Sequence, residues 1–268
     1  MNALHLTARD LRGAPLADPD CARTTWACLR KRWPRVLSAC WMGTHIHVLV
    51  ESNREVGCEV AWLARSLRRM KGWPAPDVAA KVAVGRSKVL RDIRYIAVNP
   101  CEARLCSDPL QWLWSTHREL FGAAVDPWLD PRVRRLMGGP EALHRYVSGH
   151  PSVRVEGTPP PRVAGPAPIA TRPISDIAHA VLAAWRMPNG ALRQRGPART
   201  DFLRLAWEQG WRDAAMLANL VGVRPQAVRG AWSGPPTPAA RSCLGDARLL
   251  ARIEPPVPKR LKTPFQTI

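Results

Sequence analysis

The sequence is poor in acidic residues. Its 268 residues contain 21 Asp and Glu against 40 Lys and Arg, which gives a formal net charge of +19. An excess of positive charge of this size favours a polyanionic partner. Arginine supplies most of the charge, and its planar guanidinium suits bidentate contacts with phosphate. An acidic membrane surface is a weaker alternative, since no basic amphipathic helix or lipidation signal is evident.

The sequence also lacks paired cysteines and long apolar runs. Its seven cysteines form no Cys-x-x-Cys pair, so neither a disulfide framework nor a zinc knuckle is indicated. No apolar run approaches the roughly 20 residues that span a bilayer. The N-terminus has no apolar core of the kind found in signal peptides. We therefore expect a cytoplasmic protein with reduced thiols, associated with the nucleoid if its partner is DNA, and with no membrane partner.

Two histidines stand one residue apart in a run with the character of a strand. Successive side chains of a strand point to opposite faces, so His45, His47 and Leu49 share one face. Two adjacent imidazoles are unfavourable to bury without partners, and they are well placed to hold one divalent metal. The alternative is that the pair arises by chance and consists of ordinary polar strand residues.

A second stretch predicts an amphipathic helix. Its apolar residues recur at helical spacing, namely Val89, Ile93, Ile96 and Ala97. Pro100 disfavours helical geometry in the residue before it, so the helix should end near Asn99. Tyr95, one of only two tyrosines, lies one turn before Asn99 on the same face. The alternative is that Tyr95 is an ordinary interfacial residue of the helix.

Together these motifs resemble the single-tyrosine HUH transposases, and most closely the REP-associated tyrosine transposases of bacteria. The matching stretches are residues 41–50, 94–105 and 112–116, and the resemblance spans about residues 1–125. The family often has Pro-Asn before its first histidine, where this chain has Gly43-Thr44. That departure concerns the turn into the strand more than the chemistry.

The resemblance implies a fold, a nucleophile and a metal. The expected fold is α+β, a ferredoxin-like antiparallel sheet with helices that forms an HUH nuclease domain over residues 1–125. Tyr95 would attack a backbone phosphate of single-stranded or hairpin DNA and form a 5′-phosphotyrosine. The metal ligands would be His45 and His47, with Asn99 as a third candidate. The family uses Mg²⁺ or Mn²⁺, although imidazole ligands suit softer metals equally well, so the metal identity stays open.

Basic residues near this region are candidate DNA contacts. A predicted helix over residues 56–71 carries a row of cations on its outer side, which suits a phosphate backbone. The predicted DNA-binding set here is Arg65, Arg68, Arg69, Lys71 and Arg94. The alternative is a solvated face, as for most charge runs. Trp73 would either stack on a base or fill the core. Trp112 and Trp114 are expected in the core.

The second half of the chain has its own organisation. Residues 126–150 are predicted to be a helical extension that contains Tyr146, a rival nucleophile without a supporting motif. Residues 151–173 form a Pro-rich linker, and residues 234–268 a basic, Pro-rich tail that we expect to be disordered.

Residues 174–233 are predicted to form a small all-α helix-turn-helix domain. Gly222 is placed at the turn, where a left-handed backbone is often needed, and Pro225 in the first turn of the second helix. That helix would present Arg224, Gln226 and Arg229 to DNA. The alternative is an ordinary helical hairpin.

The function predicted from these observations is a transposase-type DNA strand transferase. It would cleave and rejoin single-stranded DNA with the assistance of a divalent metal, at hairpins or REP-like palindromes. Two alternatives are a catalytically silent DNA-binding regulator and a metal-dependent phosphoesterase that acts on small nucleotides. The sequence leaves the oligomeric state open between monomer and homodimer.

Overall fold

The computed structural model describes residues 2–10, 18–70, 72–154 and 172–250. Three predicted features lie wholly or partly outside these ranges. They are Lys71 of the cation row, residues 155–171 of the linker and residues 251–268 of the tail.

Four strands form one antiparallel sheet, in the order β2-β3-β1-β4. The strands are β1 (Asn2–Asp10), β2 (Ser38–Trp41), β3 (His45–Val50) and β4 (Pro76–Val84). Three helices alternate with them: α1 (Pro19–Arg32), α2 (Val56–Arg68) and α3 (Arg86–Glu102). The chain order is therefore β1-α1-β2-β3-α2-β4-α3. The predicted α+β class with an antiparallel sheet is confirmed.

The central strands have one apolar face and one polar face, because side chains alternate along them. The apolar face is buried and contains Leu4, Leu6, Ala8, Ile46, Val48 and Val50. On the other face Thr7 of β1 is paired with His47 of β3, and Arg9 with His45. Helix α3 packs across this polar face and contacts all four strands. The polar alternation of β1 and β3 thus places the histidines beneath α3.

Helix α3 does not end at Asn99 as predicted, but continues to Glu102 with Pro100 inside its last turn. Pro100 has no N–H to donate to the carbonyl of Ile96, which normally weakens a helix. The following turn is closed by other bonds, from the N–H of Ala103 to the Asn99 carbonyl (2.9 Å) and from the N–H of Leu105 to the Pro100 carbonyl (2.8 Å). Pro100 is also buried, so tertiary packing overrides the local preference.

The tryptophans of the first half belong to the core. Trp112 and Trp114 are buried as predicted, and the indole N–H of Trp112 donates to the Trp41 carbonyl (2.7 Å). Trp73 is fully buried and donates to the Thr25 hydroxyl (3.1 Å). Of the two roles left open for Trp73, the structure therefore shows the core role and excludes stacking on a base.

The rest of the described chain contains no further strand of this sheet and consists of helices joined by turns and short 3-10 segments. Its helices are α4 (Pro140–Ser148), α5 (Ile174–Trp185), α6 (Pro197–Glu208), α7 (Ala214–Val221), α8 (Pro225–Ala231) and α9 (Pro238–Gly245). A turn joins α7 to α8 and contains Gly222 at φ +68°, where a residue with a Cβ would be strained. Leu217 and Val221 of α7 and Val228 of α8 are buried and belong to the hydrophobic core.

The prediction of disorder from residue 234 is wrong for the region of α9. Thr237 caps this helix by accepting a bond from the N–H of Ala240 (3.3 Å). The helix packs against α5 and buries Ala239, Ala240, Cys243 and Leu244. Its proline stands at the first helical position, where the missing N–H has no effect. The Pro-rich, basic composition suggested a disordered tail, but the apolar residues at 239, 240, 243 and 244 recur at helical spacing.

The C-terminal helices share a hydrophobic core with the first half of the chain. The N–H of Val125 donates to the Ala184 carbonyl (3.0 Å), and Arg118 donates to the Leu249 carbonyl (2.6 Å). Arg186 forms a buried ion pair with Glu119 at 2.7 Å. None of the helices within the described ranges combines the length and the apolar character that a bilayer span requires.

Candidate functional site

An open cleft of about 510 Å³ lies between α3 and the polar face of β1 and β4. Four cationic side chains line it, namely Arg9, Lys81, Lys88 and Arg91. Tyr95 and His47 line it as well. Asp77 is its exposed carboxylate, while its second one, Asp92, is buried and paired with Lys88. The cleft therefore combines positive charge, an exposed phenol and an imidazole.

The two predicted histidines lie side by side on β3. Their ring centroids are 4.8 Å apart and the rings are nearly perpendicular. Burial lowers the pKa of His47 to about 2. Burial and the nearby Arg9 lower the pKa of His45 to about 4. Both imidazoles are consequently neutral at pH 7, which is the form that binds a metal.

His47 has hydrogen-bonding neighbours at only one of its two nitrogens. Its Nδ1 lies 3.1 Å from His5 Nε2 and 3.1 Å from Thr7 Oγ1. Its Nε2 is buried and has no hydrogen-bond partner. Buried polar atoms are nearly always paired, so an unpaired ring nitrogen at a cleft is a candidate ligand atom.

Tyr95 presents its ring to the histidines and remains accessible. Its ring centroid lies 5.4 Å from that of His47 and 5.9 Å from that of His5. The side chain is 46% exposed. The four apolar residues that predicted this helix, Val89, Ile93, Ile96 and Ala97, are all buried. Because they face the core, Tyr95 is left on the side of the helix that lines the cleft.

Asn99 lies one turn beyond Tyr95 and next to His45. Its amide nitrogen donates to the Tyr95 carbonyl (2.8 Å). Its side chain also hydrogen-bonds with His45, which raises the pKa of His45 against the larger effect of burial. The structure thus brings the three predicted metal ligands and the predicted nucleophile together.

The donor set of this site is two imidazoles and one amide. Within the described ranges, no three or more His, Cys, Asp or Glu side chains are grouped so that they could hold a metal. A metal here would therefore depend on Asn99 and on water or substrate oxygens to complete its shell. The buried, unpaired Nε2 of His47 and the neutral state of both histidines fit a divalent cation.

Sequence patterns did not reveal His5, Thr7 and Asp92. His5 and Thr7 alternate along β1, and Asp92 stands three residues before Tyr95 on α3. His5 Nδ1 lies 4.0 Å from Asp92 Oδ2. The alternation of polar residues in residues 5–9 was the available signal, but the pairing of β1 with β3 was needed to interpret it.

The predicted DNA-binding residues lie outside the cleft. Arg65, Arg68 and Arg69 are exposed at the C-terminal end of α2, and Arg224, Gln226 and Arg229 are exposed at α8. None of the six lines the cleft. The guanidinium of Arg94 lies over the ring of Tyr146, 5.1 Å from its centroid, and does not line the cleft either. Tyr146 packs against a small apolar cluster that contains Ala97, Val98, Cys101 and Val147, and it has no ring contact with the described histidines.

Comparison with known proteins gives no match to any family model, curated protein or solved structure. The geometry of the cleft and the resemblance of its motifs are therefore the basis for a functional proposal.

Proposed function

We propose that this protein is a DNA strand transferase of the transposase type, which cleaves and rejoins single-stranded DNA through a 5′-phosphotyrosine. The observation that carries the proposal is the packing of an exposed Tyr95 against His47 in a cationic cleft. The order of strands and helices supports it, because β1-α1-β2-β3-α2-β4 with sheet order β2-β3-β1-β4 is that of a ferredoxin-like fold.

In the proposed reaction, Tyr95 forms the covalent bond to the DNA. Its Oη attacks a backbone phosphorus, the bond from phosphorus to the 3′ oxygen breaks, and the phenol proton is released while the 3′ oxygen gains one. A covalent intermediate conserves the phosphodiester for rejoining to another 3′-hydroxyl. A divalent cation, Mg²⁺ or Mn²⁺ by the resemblance, would be held by His45, His47 and Asn99 and would offset charge on the phosphate.

The cleft suits a single strand of DNA. Arg9, Lys81 and Arg91 are exposed along it, and their side chains have no hydrogen bond or ion pair with any described residue. Cations along an open groove attract a phosphate backbone without reading its sequence. The attacking residue, Tyr95, then lines the same groove that positions the strand.

The α7–α8 hairpin suits a duplex stem. Its turn at Gly222 and the exposed Arg224, Gln226 and Arg229 are compatible with a helix-turn-helix. We propose that this surface holds the stem of a hairpin or REP-like palindrome while the first half cuts. Association with nucleoid DNA would follow.

Covalent trapping tests the proposal directly. The full-length protein is incubated with Mn²⁺ and labelled single-stranded DNA that contains hairpins, and the products are separated on a denaturing gel. We expect a protein–DNA adduct for the wild type and for Tyr146→Phe, and none for Tyr95→Phe. The two variants are matched because each removes one hydroxyl from one of the two tyrosines.

Three other results would contradict the proposal. Tight DNA binding without an adduct would support the DNA-binding regulator. Metal-dependent hydrolysis of small nucleotides without an adduct would support the phosphoesterase. An adduct that persists in Tyr95→Phe and disappears in Tyr146→Phe would assign the nucleophile to Tyr146.

A further inference from the structure

His5 stands at the centre of a row of buried polar side chains. Its Nε2 lies 3.1 Å from His47 Nδ1, and its Nδ1 lies 4.0 Å from Asp92 Oδ2. All three residues are less than 10% exposed. The row begins at the Asp92 carboxylate on α3, crosses His5 on β1 and ends at the unpaired Nε2 of His47 on β3.

The carboxylate sets the direction of the row. Asp92 Oδ1 is paired with Lys88, while Oδ2 is buried, has no hydrogen-bond partner and faces His5. An ionised carboxylate only accepts hydrogen bonds, so it favours a proton on His5 Nδ1. A neutral imidazole carries one N–H, which leaves His5 Nε2 as an acceptor. His47 Nδ1 must then donate to it, and His47 Nε2 is left as a bare lone pair.

The opposite direction is unfavourable. It would place a proton on His47 Nε2, where a buried N–H would have no acceptor among the described residues. It would also turn the unprotonated Nδ1 of His5 toward a carboxylate. Thr7 Oγ1, 3.1 Å from His47 Nδ1, is compatible with either direction, because a hydroxyl both donates and accepts.

We propose that His5 and Asp92 are positioning residues, which fix His47 in the tautomer whose Nε2 is free to bind a divalent cation. His5 acts through His47 and Asp92 acts through His5. Carboxylate–histidine pairs of this kind orient metal ligands by holding the nitrogen that does not bind the metal. The cation-binding part of the inference rests on the proposed function, whereas the tautomer of His47 can be measured without metal or DNA.

The first experiment reads the tautomer. Full-length protein labelled with ¹⁵N-histidine is studied by long-range ¹H–¹⁵N NMR in the absence of metal, and His47 is assigned by its loss in His47→Gln. We expect its proton on Nδ1 in the wild type. His5→Leu removes the acceptor at similar size and should give a mixture of tautomers. His5→Gln returns an acceptor oxygen and should restore the wild-type signal.

The second experiment measures Mn²⁺ affinity in the same variants. We expect His5→Leu to weaken binding by about 10- to 100-fold and His5→Gln to stay within about threefold of the wild type. His144→Gln is the matched control, because His144 Nδ1 lies 3.0 Å from His117 Nε2 in another, partly buried histidine pair. This control should leave Mn²⁺ affinity unchanged.

If His5→Leu does not fold, the variant Asp92→Asn tests the same positioning role. Asp92→Asn offers an N–H where the carboxylate only accepts, so it should also produce mixed tautomers at His47. The positioning role is overturned if the wild-type proton lies on Nε2, or if a folded His5→Leu or Asp92→Asn keeps both tautomer and Mn²⁺ affinity. Absence of Mn²⁺ binding by the wild type overturns the cation part.

The results also separate this inference from the proposed function. A His47 tautomer that depends on His5, in a protein that forms no adduct with DNA, supports the positioning role and rejects the strand transferase. A DNA adduct at Tyr95, together with an unchanged tautomer and unchanged affinity in His5→Leu, rejects only the positioning role.

Discussion

Arg186 joins the C-terminal helices to the first half of the chain through side-chain contacts. Its guanidinium pairs with the fully buried Glu119 at 2.7 Å and lies 4.9 Å from the ring centroid of Trp26. Its backbone is left-handed, at φ +48°, at the end of α5. A non-glycine residue in this region is held there by its surroundings. Arg186 is therefore a structural contact whose removal leaves a buried carboxylate without its cation.

We expect Arg186→Ala to lower the free energy of unfolding by about 3–5 kcal/mol, the usual effect of removing one partner of a buried ion pair. Chemical denaturation monitored by tryptophan fluorescence measures the change. Arg104→Ala is the matched control, since Arg104 is the other described non-glycine residue with positive φ (+58°) but is exposed. Equal destabilisation by both substitutions would show that the backbone, and not the ion pair, is responsible.

Single residues also explain how the site is held. Asn99 bonds to the Tyr95 carbonyl through its amide nitrogen and reaches His45 through the same side chain. It therefore links α3, the helix that carries Tyr95, to β3, the strand that carries the histidines. This contact fixes the separation between the two elements at the point where chemistry is proposed.

Among the elements, α2 and α8 are competing candidates for the DNA surface. Each presents exposed arginines, and neither lines the cleft. Arg65 and Arg68 lie in the last turn of α2 and Arg69 directly follows it, whereas Arg224 immediately precedes α8. The N-terminal part of a helix is the part that a helix-turn-helix directs at base edges, which favours α8 for a duplex stem.

We expect the double variant Arg224→Gln/Arg229→Gln to bind hairpin DNA more weakly. The slope of log Kobs against log salt should become shallower by about 2, because two positive charges that release counterions from the DNA are lost. Fluorescence anisotropy over a salt series measures the slope. The variant Arg135→Gln/Arg145→Gln removes the same charge from exposed positions near α4 and should change the slope less. The opposite ranking would reject α8 as the stem-binding element.

Substitution is a better test of α8 than truncation. Removal of the chain after residue 150 would expose the buried faces of residues 113–125 that contact α5 and α9. Glu119 would lose Arg186, and Arg118 would lose the Leu249 carbonyl. A truncated protein would therefore combine loss of α8 with loss of stability, whereas side-chain substitutions on α8 leave the shared core intact.

The stability of the whole molecule should depend on pH through its buried histidines. Burial lowers the pKa of His117 to about 3, whereas an unfolded histidine titrates near 6.5. Below about pH 6.5 the His117 imidazole therefore binds a proton in the unfolded chain, whereas in the native state it stays neutral down to about pH 3. The contribution of His117 is complete above pH 6.5 and is lost progressively as the pH falls.

We expect His117 alone to lower the free energy of unfolding by about 1.4 kcal/mol for each pH unit below about 6.5. Urea denaturation at several pH values between about 7 and 5 measures the slope. His117→Gln should make the slope shallower, and His179→Gln, at an exposed position, should leave it unchanged. A slope that is the same in all three proteins would contradict the assignment to His117.

The sequence alone determined the local features of the site. Strand alternation placed His45 and His47 on one face, and helical spacing predicted the apolar side of α3 and the face that Tyr95 shares with Asn99. These features depend on period and on neighbouring residues, which one sequence displays. The helix end near Asn99 and the disorder of residues 238–245 were predicted wrongly, because burial against distant residues outweighed local preference there.

Only the tertiary structure decided which residues surround the site. The pairing of β1 with β3 brings His5 and Thr7 to His47 across about 40 residues of chain, and α3 then brings Asp92 to His5. The same packing buries Trp73, turns Arg94 onto Tyr146 and joins α5 and α9 to residues 113–125. Contacts between residues far apart in sequence depend on strand register and helix packing, and these are set by the burial of the entire apolar core.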